Sequence, residues 1–257
     1  MFKDLKGRRV LVTGSTSGIG LAVARHLRAA GALVGFHGHT AETPETIAAD
    51  LAEAGENAAF FSADLTRTEN CRTLVESFVA RFGGLDVLVS NAGGLVGRRG
   101  LEVLDDEFYD KVMDLNARSA LMTTRFAIPH LRASVQATGQ TSAVISTGSI
   151  AGREGGGPGS SVYAASKAWL HAAQRNWVKE FTKDRIRFNV VAPGSIVTAF
   201  HDDKDQATLD RISGTIPMGR FGTTDEVAPA YLFLASHACS GYITGQILDV
   251  NGGQICP

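Results

Sequence analysis

Cysteine is scarce in these 257 residues: Cys71, Cys239 and Cys256 are odd in number and far apart, so neither a disulfide framework nor a metal-ligand cluster is expected. An excess of either charge is lacking too. Lys plus Arg is 25 and Asp plus Glu 26, and the net charge of -1 provides no basic surface for a nucleic-acid backbone or an acidic lipid. No apolar run approaches the ~18 residues of a membrane-spanning helix, and Met1-Phe2-Lys3-Asp4 opens into a charged segment without the apolar core of a leader. These absences predict a cytoplasmic protein with no metal, no nucleic acid and no membrane among its partners. Pro/Ser linkers, composition breaks and internal repeats are also missing, so with 44% hydrophobic and 20% charged residues the chain reads as one domain over 1–257.

What is plentiful is glycine, 29 residues scattered at joints between short apolar runs and longer amphipathic segments. The runs Arg9–Thr13, Ala32–His37, Ala58–Ala63, Leu85–Ser90, Ala143–Thr147, Ile186–Ala192 and Gln246–Val250 read as buried strands. Between them, Gly18–Ala30, Pro44–Ala54, Thr66–Phe82, Asp105–Ala133, Val162–Lys183 and Asp225–Ser236 read as helices, each starting near Ser, Thr, Asp or Pro. The alternation predicts an α/β fold: a doubly wound, Rossmann-like parallel sheet of seven strands, with helices on both faces and right-handed crossovers. The stretch 195–222 lacks strand periodicity and carries Asp202, Asp203, Lys204 and Asp205. It is expected to form a lid over a substrate site.

After the first strand comes Thr13-Gly14-Ser15-Thr16-Ser17-Gly18-Ile19-Gly20, and then a helical pattern. Small residues at that joint let backbone amides and a helix N-terminus approach a pyrophosphate. Without a following Gly-Lys-Ser/Thr, a nucleotide-hydrolysing loop is disfavoured. A tight turn with no ligand is the alternative. Farther on, Tyr163-Ala164-Ala165-Ser166-Lys167 sets a phenol and an ammonium on one helix face. A nearby ammonium is expected to acidify the phenol into the range of a working proton exchanger, although surface pairs at this spacing are common.

Thr13 to Gly20 resembles, without departure, the Thr-Gly-x-x-x-Gly-x-Gly loop of the short-chain dehydrogenase/reductase family. The resemblance runs nearly the whole length of the chain with the motifs in the family's order. It implies hydride transfer between a nicotinamide cofactor and a ketone or secondary alcohol. Ser149, in Ser149-Ile150-Ala151-Gly152 and 14 residues before Tyr163, matches the family's serine, while Ser146 reads as a satisfied strand residue. By that likeness Tyr163 exchanges a proton with the substrate oxygen, Ser149 hydrogen-bonds that oxygen, Lys167 also holds the nicotinamide ribose, and Asn116 matches a relay residue that holds a water near the lysine.

The same resemblance assigns Gly14, Ser15, Thr16, Ser17, Gly18, Ile19 and Gly20 to the cofactor, together with Asn91, Ala92 and Gly93, where Ser90 replaces the family's first Asn. Asp64 and Leu65 match the adenine side, though an Asp there is as often a helix cap. Pro193, Gly194, Ile196 and Thr198 match the element around the nicotinamide amide. The second strand ends in His37-Gly38-His39-Thr40 without an acid; His39 and Thr40 lean the choice to NADP(H), with NAD(H) kept open by Glu42. Substrate contacts are expected from 94–96, 155–157 and the lid around Phe200, His201, Ile212 and Met218. A small-molecule carbonyl or alcohol is the expected substrate, of 3-oxoacyl or sugar/polyol type, although Asp184 stands where carrier-protein reductases often show a base. A silent cofactor-binding regulator is the rival. Trp169, Ala173 and Trp177 form a helix stripe that is either core or, as the family's usual homotetramer implies, a subunit contact.

Overall fold

The structure, a computed structural model, describes residues 2–198 and 205–256. Seven strands, β1 (Arg9–Val12), β2 (Leu33–Gly38), β3 (Ala58–Ser62), β4 (Val87–Ser90), β5 (Ser142–Thr147), β6 (Ile186–Pro193) and β7 (Ile247–Val250), pair in the order β3-β2-β1-β4-β5-β6-β7. Every pairing is parallel. Because both faces of the sheet are covered, its central strands are continuous apolar runs rather than alternating ones. Helices α1 (Gly18–Ala29), α2 (Glu45–Ala54) and α9 (Thr224–Ala235) pack on one face. On the other lie α3 (Thr68–Phe82), α5 (Ser119–Thr138) and α7 (Ser161–Phe181).

Local chemistry fixes the helix ends. Asp105 accepts the amide of Phe108 at 2.8 Å to start α4 (Asp106–Met113), and Thr223 with Glu226 forms a reciprocal cap on α9. Gly83 and Gly139 end α3 and α5 in left-handed conformations, which cost glycine nothing.

The single helix expected over 105–133 is instead α4, a π-helical turn at Asp114–Arg118, and α5, which runs on to Thr138. A widened turn leaves no trace in apolar spacing. The expected lid stretch contains a helix, α8 (Gln206–Thr215), and Ile196 bridges in parallel to Gly222. Phe200, His201, Asp202, Asp203 and Lys204 lie outside the described residues. A four-residue helix, α6 (Ala151–Glu154), also escaped the periodicity reading because one turn is too short to show it.

Candidate active site

The sheet order reverses between β1 and β4, and the crevice beyond the carboxyl ends of such strands is where open parallel sheets bind ligands. Asn91 braces that crevice. Its backbone N–H donates to Thr13 Oγ1 at 2.9 Å, and its side-chain amide donates to the carbonyls of Thr13 and Gly14 at 3.0 and 2.9 Å. Its Oδ1 accepts from Thr147 Oγ1 at 3.0 Å, so one side chain ties together the ends of β1, β4 and β5. Thr147 in turn shares a 2.7 Å hydrogen bond with the fully buried Tyr231.

The residues of the glycine loop fit a dinucleotide. Gly14 and Gly18 take left-handed φ of 61° and 54°, and a Cβ on Gly20 would overlap the Gly14 carbonyl oxygen and the Asn91 amide. Ser17 is extended and gives α1 no side-chain cap, so the first-turn amides remain available to a phosphate. Gly14 N–H is itself aimed by His37, whose Nδ1 accepts it at 2.9 Å while Nε2 donates to the Ala63 carbonyl at 3.0 Å. These two bonds fix one neutral tautomer, and burial draws the His37 pKa down to about 4.

Around the expected chemistry, β5 delivers Ser149 just past its end and α7 delivers Tyr163 and Lys167 from successive turns. Ser149 hydrogen-bonds the Tyr163 side chain, and its Oγ also accepts the Ala151 amide at 3.1 Å. Lys167 is 4% exposed; its Nζ donates to the Thr147 carbonyl at 2.8 Å and stands 5.8 Å from the centroid of the Tyr163 ring. Burial holds Lys167 down to about 8, and burial likewise raises the Tyr163 pKa against the lowering effect of Ser149. The acidified phenol expected from the sequence is not found: burial raises the Tyr163 pKa, while the Lys167 ammonium is directed at the Thr147 carbonyl. A phenol that keeps its proton is suited to donate one.

Asn116 sits in the π-helical turn, fully buried. Its amide donates to the carbonyls of Gly94 and Val112, both at 2.9 Å, and its Oδ1 accepts Gly94 N–H at 3.0 Å. A Cβ on Gly93 would stand 2.6 Å from Asn116 Oδ1 and 3.2 Å from Lys167 Nζ, so this glycine permits the two groups to converge.

A cavity of about 790 Å³ brings together Gly14, Ser17, Gly18, Ile19, Gly20, Asn91, Gly93, Ser149, Tyr163, Lys167, Pro193, Gly194, Ile196 and Thr198. Other expected residues lie off its wall. Ser15 is fully buried, with Oγ donating to the Val12 carbonyl and accepting the His37 amide. Leu65 belongs to the core. Thr16 contacts Gly38 and accepts from Thr46, and the Ala92 amide donates to Thr13. Asp64 accepts both the amide and the hydroxyl of Thr66, and Thr40 donates to the Glu42 carbonyl. His39 is exposed at the strand tip, with Asp64 near enough for their charges to interact. The cavity also recruits Thr215 at the end of α8, from the expected lid stretch, and Arg98, Glu154 and Ser160; isolated polar residues in loops and short turns carried no sequence signal. Gln254 was missed as well: its Oε1 accepts the Ser195 amide at 2.7 Å and fills the space a Gly194 side chain would need.

A family profile described as Enoyl-(Acyl carrier protein) reductase matches residues 14–254. Among curated proteins, the chain is 37% identical to a nodulation protein G of Rhizobium sp. strain N33, over 97% of this chain and 98% of that one. It is 31% identical to a 3-oxoacyl-[acyl-carrier-protein] reductase of Thermotoga maritima, over 98% and 99%. Among solved structures, an NADH-dependent reductase A1-R' responsible for alginate metabolism is 64% identical, with a TM-score of 0.91 over 99% of this chain and 100% of that one. Its complex with NAD is 62% identical with a TM-score of 0.89 over the full length of both. A mutant described as a DEH reductase is 65% identical, with a TM-score of 0.92 over the full length of both.

Proposed function

The chain belongs to the short-chain dehydrogenase/reductase family of nicotinamide-dependent oxidoreductases, and from that premise we propose that it reduces the carbonyl of a small, carboxylate-bearing sugar derivative, with NADH as coenzyme. The observation that carries the reaction type is the convergence of Ser149, Tyr163 and Lys167 in the same cavity as the glycine cradle. When bound, the nicotinamide supplies hydride to the carbonyl carbon. Tyr163 donates its proton to the carbonyl oxygen, and Ser149 holds that oxygen by a hydrogen bond. Lys167, an ammonium below about pH 8, stabilises the phenolate left behind and holds the cofactor ribose. Asn116 fixes the Gly93–Gly94 segment against Lys167.

The substrate class follows the 64% identical reductase responsible for alginate metabolism, alginate being a polymer of uronic acids, more than the 31–37% identical relatives. It departs from the 3-oxoacyl expectation. Asp184 supports the departure, since it sets a carboxylate, paired with Arg132 at 2.7 Å, at that position. NADH likewise departs from the NADP(H) lean. Thr40 is spent on a backbone carbonyl, and Asp64, kept ionised by its hydrogen bonds from Thr66, lies beside His39. A 2′-phosphate placed there would meet the Asp64 carboxylate. We assign the protein to the cytoplasm and to a homotetramer, with a single-domain active site bordered by Ser195, Ile196, Thr198, Ile212 and Thr215; the half-buried Trp169 supports the assembly.

The direct test follows nicotinamide absorbance with Tyr163→Phe and a panel of acidic and neutral carbonyls. Loss of the proton donor is expected to lower kcat about 10²–10⁴-fold while NADH binding persists, and NADH is expected to bind more tightly than NADPH. Unchanged turnover removes Tyr163 from the chemistry, and a wild type inert on every carbonyl favours the regulator.

A further inference from the structure

Charge on the described cavity wall comes from three side chains, Arg98, Glu154 and Lys167, and Lys167 is buried and committed to the Thr147 carbonyl. Arg98 differs from it in exposure and in having donors to spare. It is exposed, on the loop that follows β4, and its Nη1 donates to the Pro158 carbonyl at 2.9 Å. Beside it the Arg99 amide donates to the Gly159 carbonyl at 2.9 Å, so the loop after β4 and the glycine-rich loop before α7 are joined by two hydrogen bonds. Glycine eases that approach: a Cβ on Gly157 would stand 3.3 Å from Arg98 Nη1, and one on Gly159, at a left-handed φ of 74°, 3.1 Å from Arg98 Cβ.

The result is a guanidinium oriented by one of its five N–H donors, with the others unspent among the described residues. Neighbouring arginines are already paired, Arg99 with Asp105 at 3.2 Å and Arg153 with Asp249 at 2.9 Å. Among the described residues no carboxylate lies within ion-pair distance of Arg98. A planar fork of donors matches a carboxylate through two parallel hydrogen bonds, which a lysine cannot reproduce. Glu154, at the end of α6, has only acceptor oxygens when ionised and suits substrate hydroxyls.

Resting on the acidic-substrate reading above, we propose that Arg98 binds the substrate's carboxylate and sets the enzyme's preference for acidic over neutral carbonyl compounds. The probes are paired aldehydes that differ by one carboxylate, succinate semialdehyde with butanal and glucuronate with glucose, assayed with NADH on wild type, Arg98→Gln and Arg98→Lys. Wild type is expected to favour the acid of each pair. Arg98→Gln, which also gives up the bond to Pro158, is expected to raise KM for the acids about 10–100-fold more than for the neutral members, with kcat within about threefold, and Arg98→Lys to recover part of the loss. Calorimetry with the unreactive acid gluconate on the enzyme–NADH complex reads the same site without turnover, and Arg98→Gln is expected to abolish its binding. Equal losses on acid and neutral aldehydes, or an unchanged KM for the acids, overturn the role of Arg98 while leaving the substrate class standing. A wild type that prefers the neutral member of each pair, and does not bind gluconate, overturns the substrate reading itself.

Discussion

His37 shows how a single side chain links coenzyme cradle and stability. Its imidazole accepts Gly14 N–H and donates to Ala63, an arrangement open only to the neutral ring. Its pKa falls from 6.5 to about 4 because burial penalises the cation, and His171, also buried, falls to about 4 from burial and from Arg153, Lys167 and Arg175 around it. Above pH 6.5 the rings are neutral whether the chain is folded or not, so stability is fully present. Between pH 6.5 and about 4 the unfolded chain takes up protons that the folded chain refuses, and stability is lost, by roughly 3 kcal/mol from His37 alone. Tm is expected to drop on acidification across that window, and His37→Asn to drop less steeply; parallel melting curves check this, and equal slopes would deny His37 its part. Ser149, Tyr163 and Lys167 were legible because their types and spacing carry the chemistry. Arg98, Thr147 and Gln254 were not, because nothing local distinguishes them from ordinary loop and strand-end residues.

Helical elements differ in how much of their role a sequence exposes. The amphipathic pattern of α7 placed Tyr163 and Lys167 on one face, and the observed helix agrees with that placement. The π-helical turn between α4 and α5 was invisible, yet it is what turns Asn116 into the interior, where three hydrogen bonds hold it to Gly94 and Val112. Replacing Asn116 with Ala strands those backbone groups at a cost of about 1–3 kcal/mol, an expected Tm decrease of roughly 3–10 °C. Asn116→Asp restores the acceptor for Gly94 N–H but sets a second oxygen against two carbonyls, so it is expected to be no more stable than the alanine variant. Thermal melts of the two variants decide whether the amide's donor side matters.

Over the whole molecule, the parallel order β3-β2-β1-β4-β5-β6-β7 creates a single reversal, and the glycine loop, Asn91 and the Ser-Tyr-Lys group all gather there. Outside it, Trp169 and Trp177 meet edge to face at 6.1 Å, and Trp177 packs on Phe188 at 5.9 Å. The inner tryptophan belongs to the core, while Trp169 remains half-exposed and able to meet another subunit. Light scattering at micromolar concentration is expected to give a tetrameric mass, and Trp169→Arg a smaller one; a monomeric wild type would return the stripe to core packing. Alternating apolar runs and glycine joints sufficed to determine the layered α/β class and the cradle, because burial and backbone freedom are written in residue type and local spacing. Tertiary structure alone decided that Arg98 faces the same cavity as Tyr163, that His37 aims an amide rather than a ligand, and that burial raises the pKa of the phenol. Each of those depends on which distant segments exclude water from a group or supply its hydrogen-bond partner, and that is settled only when the strands are laid side by side.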